Sequence, residues 1–316
     1  MTDITGLLKA KQAKNDEFYT RYKDIEDEID KHYNYNNNLF KNKIIICPCD
    51  DYNYSQFTKY FINNYKKLKY KKLICTSFNN NYKLSDIYFN LFYEDNIEDH
   101  GRILTFDGKT IKKDYLNGSG DFRTKEIISL INKSDFVITN PPFSLLEDFY
   151  KIVRNKKFLF IGPVNFLGRN FIVEDFKKDK VRLGYYRKQV MHFDVLDKDI
   201  DLSRPHTYVK ENGKYYGRVG TFWFTNINMP ELEFLKFNED TKPEDFDKID
   251  GTDIINIPEI KLIPKNYFGK MAVPITIFRY YNKKQFKVYG KLEQGQVNGK
   301  NIFIRIIIGV YKNEKR

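Results

Sequence analysis

Four short apolar runs constrain the fold of this chain more than any other feature of its sequence. They are rich in Ile, Leu, Val and Phe and cover residues 43–47, 73–76, 136–139 and 157–161. Uninterrupted runs of this length are typical of strands that are buried on both faces of a parallel sheet. Segments with apolar residues at helical spacing separate the first run from the second and the third from the fourth. The pattern predicts an α/β fold with a doubly wound sheet.

The residues that follow these runs are expected to share one site. In a doubly wound sheet, ligands bind in the crevice beyond the carboxyl ends of the strands. The first run leads to Cys49, Asp50 and Asp51, the second leads to Ser77, and the third leads to Asn140. We therefore predict that the loops carrying these residues meet at one edge of the sheet.

The third run ends in the tetrapeptide Asn140-Pro141-Pro142-Phe143, and a helical pattern follows it. The two prolines stop the strand and hold the next residues in an extended loop. A planar amine is a poor nucleophile. Two acceptors, the Asn140 side-chain oxygen and the Pro141 carbonyl, could each accept a hydrogen bond from one of its N–H groups and stabilise the positive charge that develops on the nitrogen. Pro142 would keep this geometry rigid, and Phe143 could stack on the ring. The motif predicts methyl transfer to a planar amine or amide; the alternative is a structural loop with paired prolines.

Charge is segregated along the chain, which carries a net +12. Residues 231–260 contain ten acids and three basic residues, whereas residues 261–316 contain thirteen basic residues and two acids. A basic surface attracts polyanions through the release of counterions. A general bias towards lysine is the alternative, but it would not separate the charges in this way. We therefore expect nucleic acid as a partner.

Composition argues against several other classes of protein. No apolar stretch reaches membrane-spanning length, and residues 1–14 lack the apolar centre of a signal peptide. Three cysteines do not make a disulfide framework, which suits a reducing cytoplasm. The cysteines and the four histidines lack ligand spacing, so no metal site is predicted. We expect a cytoplasmic monomer without a membrane partner, and we interpret the acidic cluster at residues 194–201 as a solvated loop.

The order of several motifs is similar to that in a known family. The stretches concerned are Asn15-Asp16-Glu17-Phe18-Tyr19-Thr20, Cys49-Asp50-Asp51 with Ser55 and Phe57, Gly120-Asp121-Phe122-Arg123, Asn140-Pro141-Pro142-Phe143-Ser144, Trp223-Phe224-Thr225-Asn226, and Val273-Pro274-Ile275-Thr276 with Gln285-Phe286. In these stretches, between about residue 12 and residue 310, the chain resembles the EcoRI-type adenine-specific DNA methyltransferases. The resemblance implies a Rossmann-like methyltransferase sheet, S-adenosylmethionine as donor, and a flipped-out adenine in a specific double-stranded DNA sequence as acceptor. It also implies a role in restriction-modification or epigenetic marking, with a cognate restriction endonuclease as a candidate partner.

The resemblance further implies which residues bind the cofactor. Its methionine end would contact the motif at Phe18, Tyr19 and Thr20, with Cys49, Asp50, Asp51 and Ser77 near the methionyl or ribose part and Asp121 and Phe122 at the adenine. The first loop lacks Gly-x-Gly, and the second run is not followed by the usual acid. Helix capping is the alternative role for the three aspartates, and a place in the core is the alternative for Phe18 and Tyr19.

Three segments are predicted along the chain. Residues 1–42 carry the N-terminal cofactor motif, residues 43–170 form the cofactor-binding and catalytic core, and residues 171–316 complete the core and recognise the DNA target. Beyond residue 170, strands are predicted at residues 219–224, 273–280, 286–289 and 302–310, so this region should be smaller and rich in β-structure. Methylation of RNA adenine, cytosine N4 or a protein glutamine, and a non-catalytic DNA-binding module with this fold, stay open as alternatives.

Overall fold

The computed structural model describes residues 19–79, 81–82, 97–188, 190–194 and 208–312. Phe18 therefore lies outside the described residues, as do Asp197, Asp199 and Asp201 of the acidic cluster. The chain divides into two compact units, of which the first comprises residues 1–163 and 184–227 and the second residues 164–183 and 228–316. None of the helices in the described ranges is long and apolar enough to cross a membrane.

The first unit contains five of the helices and most of the strands. Its helices are α1 (Tyr22–Tyr35), α2 (Gln56–Asn63), α3 (Tyr65–Leu68), α4 (Lys125–Lys133) and α5 (Leu146–Val153). Its strands are β1 (Tyr19–Thr20), β2 (Ile44–Cys47), β3 (Lys72–Ser77), β4 (Arg102–Phe106), β5 (Ile111–Tyr115), β6 (Phe136–Thr139), β7 (Lys157–Pro163), β9 (Val190–Asp194), β10 (Tyr208–Glu211) and β11 (Lys214–Thr225). The second unit begins with α6 (Asn170–Lys177) and β8 (Arg182–Leu183) and continues with β12 (Ile255–Asn256), β13 (Met271–Pro274), β14 (Phe286–Leu292), β15 (Gly295–Val297), β16 (Lys300–Ile302) and β17 (Arg305–Val310).

A mixed sheet forms the centre of the first unit. Its strands follow the order β1-β9-β11-β7-β6-β2-β3-β4-β5, and β10 pairs with β11. The four apolar runs are its parallel centre, because β7, β6, β2 and β3 run side by side in the same direction. Antiparallel strands extend this centre on both sides. The predicted α/β sheet with central parallel strands is confirmed.

The strand order reverses between β2 and β6. From β2 the chain moves to β3 on one side, and it later returns to β6 on the other side of β2. Crossovers between parallel strands are right-handed, so helices that connect strands in opposite directions cover opposite faces of the sheet. The crevice at such a reversal is where a sheet of this type binds its ligand.

Aromatic side chains hold the helices against this sheet. The ring of Phe57 on α2 meets that of Trp223 on β11 edge-on, with 5.9 Å between centroids. On α5, Phe149 packs in the same way against Phe160 of β7 at 5.6 Å. Both helices are short, so their positions depend on this burial more than on intrinsic helix propensity.

Strands of the second unit form a sheet in the order β12-β13-β17-β14, with the hairpin β15–β16 as a separate pair. The strand predicted over residues 273–280 is wrong beyond Pro274, since residues 275–280 form a 3-10 helix. Pro274 fixes its own φ at −55° and has no N–H to donate to a ladder, which favours the end of a strand here. The strand predicted over residues 302–310 is interrupted, because Phe303 and Ile304 separate β16 from β17.

Candidate functional site

A buried carboxylate joins the loops that follow β2 and β6. Asp50 is 6% exposed, and its Oδ2 accepts a hydrogen bond from Thr139 Oγ1 at 2.5 Å. Its Oδ1 accepts from Ser55 Oγ at 2.8 Å, and its N–H donates to the Thr76 carbonyl at 2.9 Å. Asp50 thus connects the ends of β2, β3 and β6 at the edge of the sheet where the strand order reverses.

Burial raises the pKa of the Asp50 carboxyl group. Loss of hydration raises the pKa of Asp50 from 3.8 to about 7, the hydroxyls of Thr139 and Ser55 oppose the rise, and Asp51 adds to it. Ser55 also caps α2, because its Oγ accepts from the N–H groups of Phe57 and Thr58. The capping role considered for the aspartates therefore belongs to Ser55, and Asp50 holds that cap in place.

Asp51 is the more accessible of the two aspartates. Its side chain is 29% exposed and lies 3.9 Å from Arg102, and its Oδ1 accepts from the Asn53 N–H at 2.9 Å. Cys49, just before them, is half-buried. A carboxylate that is partly open to solvent at this edge can bind an ammonium or a hydroxyl group.

The N-terminal motif lies beside this loop. Strand β1 pairs with β9, with Thr20 opposite Phe193, and the Tyr19 ring lies 6.1 Å from the ring of Tyr54. Tyr54 donates its N–H to the Asp51 carbonyl at 3.0 Å. Tyr19 is therefore next to the Asp51 loop, as its predicted role requires.

The Thr20 hydroxyl lacks a hydrogen-bond partner in the part of the chain that the structure describes. Thr20 is 4% exposed, and its Oγ1 is buried without a hydrogen-bond partner among the described residues. Buried polar atoms nearly always have a partner, and a site for a ligand is one reason for an exception.

A glycine loop crosses the carboxyl end of β3. Gly120 has φ +77°, and a Cβ there would lie 2.2 Å from the Ser77 carbonyl oxygen. The Asn79 N–H donates to the Ser119 carbonyl at 2.8 Å. Glycine permits both the positive φ and the close approach, which brings Asp121 to the same edge of the sheet as Ser77.

Asp121 and Phe122 lie just before α4. The Asp121 carboxylate is 16% exposed and pairs with the Arg123 guanidinium at 2.6 Å, and it also accepts from the Arg123 N–H at 2.9 Å. Thr124 caps the helix, so the capping alternative does not apply to Asp121. The Phe122 ring is buried and meets Phe149 of α5 edge-on at 5.4 Å.

The tetrapeptide follows β6 directly. Pro141 is buried, and Asn140, Pro142 and Phe143 are half-buried. The Pro142 carbonyl accepts from the Leu145 N–H at 3.0 Å, which turns the chain through one 3-10 turn into α5, and Phe143 packs against the core of the first unit. The loop is thus held at its start by Thr139 and at its end by α5.

The structure brings together most of the predicted residues, along with some that sequence reasoning missed. Asp50, Ser77, Asp121 and the tetrapeptide all leave the same edge of the sheet, with Tyr19 and Thr20 alongside. Thr139 and Gly120 were quoted only as parts of a strand and a motif, and nothing marked either as a contact between loops. A hydroxyl at the last position of a buried apolar strand was the available signal for Thr139.

The family model and the related proteins named below match nearly the whole chain. The family described as adenine-specific methyltransferase EcoRI matches residues 6–314. A Type II methyltransferase of Mycoplasma genitalium is 36% identical, with 95% of this chain and 97% of the relative covered. The Type II methyltransferase M.EcoRI of Escherichia coli is 34% identical, with 96% and 95% covered, and the Type II methyltransferase M.MpnI of Mycoplasma pneumoniae is 34% identical, with 89% and 83% covered. No solved structure matches the chain significantly.

Proposed function

The chain belongs to the EcoRI family of adenine-specific methyltransferases, and on that premise we propose that it methylates N6 of an adenine in a specific sequence of double-stranded DNA, with S-adenosylmethionine as donor. The observation that carries this proposal is the hydrogen bond from Thr139 to Asp50. It holds the tetrapeptide at the reversal of strand order, where the cofactor crevice of such a sheet lies.

The residues at this edge fit S-adenosylmethionine. The orphan Thr20 hydroxyl and the partly exposed Asp51 carboxylate are suited to the ammonium, carboxylate and hydroxyl groups of such a ligand. When bound, the cofactor supplies a methyl group on a positively charged sulfur. We assign Tyr19, Thr20 and Asp51 to its methionine and ribose parts, with Cys49 and Ser77 nearby.

At the adenine end of the cofactor, we assign Asp121 and Phe122. The Asp121 carboxylate can accept from an amino group, and the Arg123 guanidinium holds it in orientation. Phe122 is packed against Phe149, so its ring has a fixed position beside the proposed adenine site.

Asn140 and Pro141 act on the target base. The Asn140 side-chain oxygen and the Pro141 carbonyl would each accept a hydrogen bond from one N6–H, which would direct the nitrogen lone pair towards the methyl group and stabilise positive charge on N6. The methylated N6 would then release one proton. Pro142 limits motion of the loop, and Phe143 stacks on the base. The target base must leave the duplex to reach these groups, because its neighbours cover it in stacked DNA.

Asp50 has a positioning role in this proposal and does not contact the cofactor. Asp50 is 6% exposed, and its two carboxylate oxygens accept hydrogen bonds from the hydroxyl groups of Ser55 and Thr139. It therefore keeps the loops after β2 and β6 at a constant separation.

The second unit is proposed to recognise the DNA target. Residues 261–312 contain eleven basic residues and one acid. Five of the lysines are paired with acids, and the exposed lysines outside these pairs are the candidates for phosphate contacts. Of the exposed lysines in this segment, Lys270 and Lys287 both lie 5.0 Å from the centroid of the Tyr289 ring.

Nucleoside analysis tests the proposed reaction. The protein is incubated with labelled S-adenosylmethionine and defined duplexes, and the DNA is then digested to nucleosides. We expect the label in N6-methyladenine. Label in N4-methylcytosine, in RNA or in protein, or none at all, would contradict the proposal.

Asn140→Ala tests the assignment of the tetrapeptide. Removal of one acceptor in the reacting centre should lower kcat by at least about 100-fold, while cofactor affinity measured by calorimetry stays within a few-fold. Asn132→Ala is the matched control, because Asn132 is exposed on α4, away from the tetrapeptide. An equal loss of cofactor affinity and of turnover in Asn140→Ala would show that Asn140 is structural.

A further inference from the structure

Phe303 is the most exposed large apolar side chain that the structure describes, with 90% of its surface open to solvent. Resting on the proposed function, which supplies DNA as the substrate, we propose that Phe303 inserts between two neighbouring base pairs of the bound duplex. An aromatic wedge of this kind unstacks a base step and kinks the DNA.

The backbone on both sides of Phe303 is held by strand pairing. The β15–β16 ladder ends at the pair Gly295 and Ile302, and the β14–β17 ladder begins at the pair Leu292 and Arg305. Phe303 therefore lies between two paired segments, one residue after the first and two residues before the second. The backbone that presents Phe303 is ordered before binding, so the ordering cost of binding falls mainly on the side chain itself.

The far end of the hairpin is also anchored. Its turn contains Asn298 and Gly299, both at positive φ, and their N–H groups donate to the Asp250 carboxylate at 3.0 and 2.9 Å. Asp250 in turn donates its own N–H to the Gln296 carbonyl at 2.9 Å. The hairpin is thus fixed at its tip as well as at its base.

Packing beneath this segment involves the neighbouring residue, Ile304. A Cβ placed on Gly168 would lie 3.5 Å from Ile304 Cδ1, so the Ile304 side chain covers this glycine. Lys291, at the end of β14, donates to the Gly168 carbonyl at 2.8 Å. Ile304 therefore serves the fold of the unit, whereas Phe303 has no comparable packing.

The charges near Phe303 favour a polyanion as the partner. Arg169, which follows Gly168, and Lys300, at the start of β16, are exposed, and neither has an acidic partner among the described residues. Arg305 donates to Asn256 Oδ1 at 3.1 Å. The nearby acid, Glu293, is already paired with Lys291 at 2.6 Å. A second copy of the chain would place cations against cations, but a phosphate backbone on either side of an inserted ring would neutralise them.

Phe303→Ala, compared with Phe303→Trp, tests the wedge. The DNA probe is an end-labelled duplex that accepts a methyl group in the nucleoside assay, used for affinity and for bending by energy transfer between its ends. S-adenosylmethionine is the probe of cofactor affinity. We expect Phe303→Ala to weaken duplex binding about tenfold or more and to remove the bend, whereas Phe303→Trp retains both. Cofactor affinity and the urea midpoint should not change, because the ring contributes little to the fold.

Phe234→Ala is the matched control. Phe234 is exposed in the same unit, but it lies in the acidic segment of residues 231–260, so its removal should leave DNA binding unaltered. If Phe303→Ala binds and bends DNA as the wild type does, the wedge is wrong and the methyltransferase proposal stands. If the wild type neither binds nor methylates duplex DNA, both proposals fail. Concentration-dependent dimers in sedimentation that Phe303→Ala abolishes would show instead that Phe303 belongs to a protein interface.

Discussion

Asp50 shows how one side chain links two loops that carry different parts of the reaction. It lies in the β2 loop, beside Asp51 of the proposed cofactor site, and it accepts a hydrogen bond from the hydroxyl of Thr139, the residue directly before Asn140. Burial raises its pKa to about 7 although the hydroxyls of Thr139 and Ser55 oppose the rise, so loss of either donor would favour the protonated carboxyl group at neutral pH. Loss of the Thr139 donor should affect the tetrapeptide loop before it affects cofactor binding, because Thr139 directly precedes Asn140.

Thr139→Val and Thr139→Ser separate this contact from simple packing. Valine has nearly the same shape but no hydroxyl, and leaving a buried acceptor short of one donor should cost about 1–3 kcal/mol of unfolding free energy. We expect Thr139→Val to lower kcat with little change in cofactor affinity. Thr139→Ser keeps the donor and should retain most of the activity. Steady-state kinetics and urea unfolding measure both effects, and equal loss of kcat in the two variants would rule out the hydrogen bond as the cause.

Among the structural elements, the loop of residues 118–121 carries Asp121, which we propose binds the cofactor's adenine. It is held against β3 by the approach of Gly120 to the Ser77 carbonyl and by the hydrogen bond between Asn79 and Ser119. The loop therefore brings Asp121 to the carboxyl end of β3, although β3 itself ends without an acid.

Gly120→Ala is predicted to displace this loop. Its Cβ would collide with backbone at 2.2 Å, and backbone cannot move aside as a flexible side chain can. Gly213→Ala is the matched control, since Gly213 also has a positive φ, +82°, but has open space where a Cβ would lie. The left-handed backbone should lower the free energy of unfolding of both variants by about 1–2 kcal/mol, measured by urea unfolding, and the collision adds a further loss in Gly120→Ala alone. Only Gly120→Ala should weaken cofactor binding in calorimetry, and equal binding by the two variants would contradict this account of the loop.

At the scale of the whole molecule, the basic excess belongs mainly to the C-terminal part of the chain. Of the net +12, residues 261–316 supply thirteen basic residues against two acids. Such an excess makes the affinity for DNA depend steeply on salt, because each phosphate contact releases counterions.

Lys270→Gln combined with Lys287→Gln tests this dependence. Both lysines are exposed, and neither has a carboxylate partner among the described residues. If both contact phosphates, the slope of log affinity against log salt should become shallower by about 1.8 in titrations of a labelled duplex. Lys23→Gln combined with Lys151→Gln is the control, because these lysines of the first unit are paired with acids and should leave the slope unchanged. An equal change in both double variants would mean that only net charge matters.

The amino-acid sequence by itself determined the parallel strands, the position of the tetrapeptide at the end of one of them, and the family. These are local properties: Phe136–Thr139 is apolar and β-branched, Pro141 and Pro142 end it, and α5 follows at helical spacing. Sequence patterns predicted secondary structure less accurately where strand pairing or a proline outweighs the hydrophobic pattern. Strand β5 has a fully exposed pattern and is held by its pairing with β4, and the predicted strand at residues 273–280 ended at Pro274.

Only the tertiary structure decided which side chains contact one another at the site. Asp50 and Thr139 are 89 positions apart, and their contact exists because β2 and β6 are neighbours at the reversal of strand order. The burial that raises the pKa of Asp50, the contact of Gly120 with Ser77, and the exposure of Phe303 between two ladders also arise from packing between distant segments. A pattern of residues specifies which strands and helices can form, whereas burial and distance appear only when those elements are placed against one another.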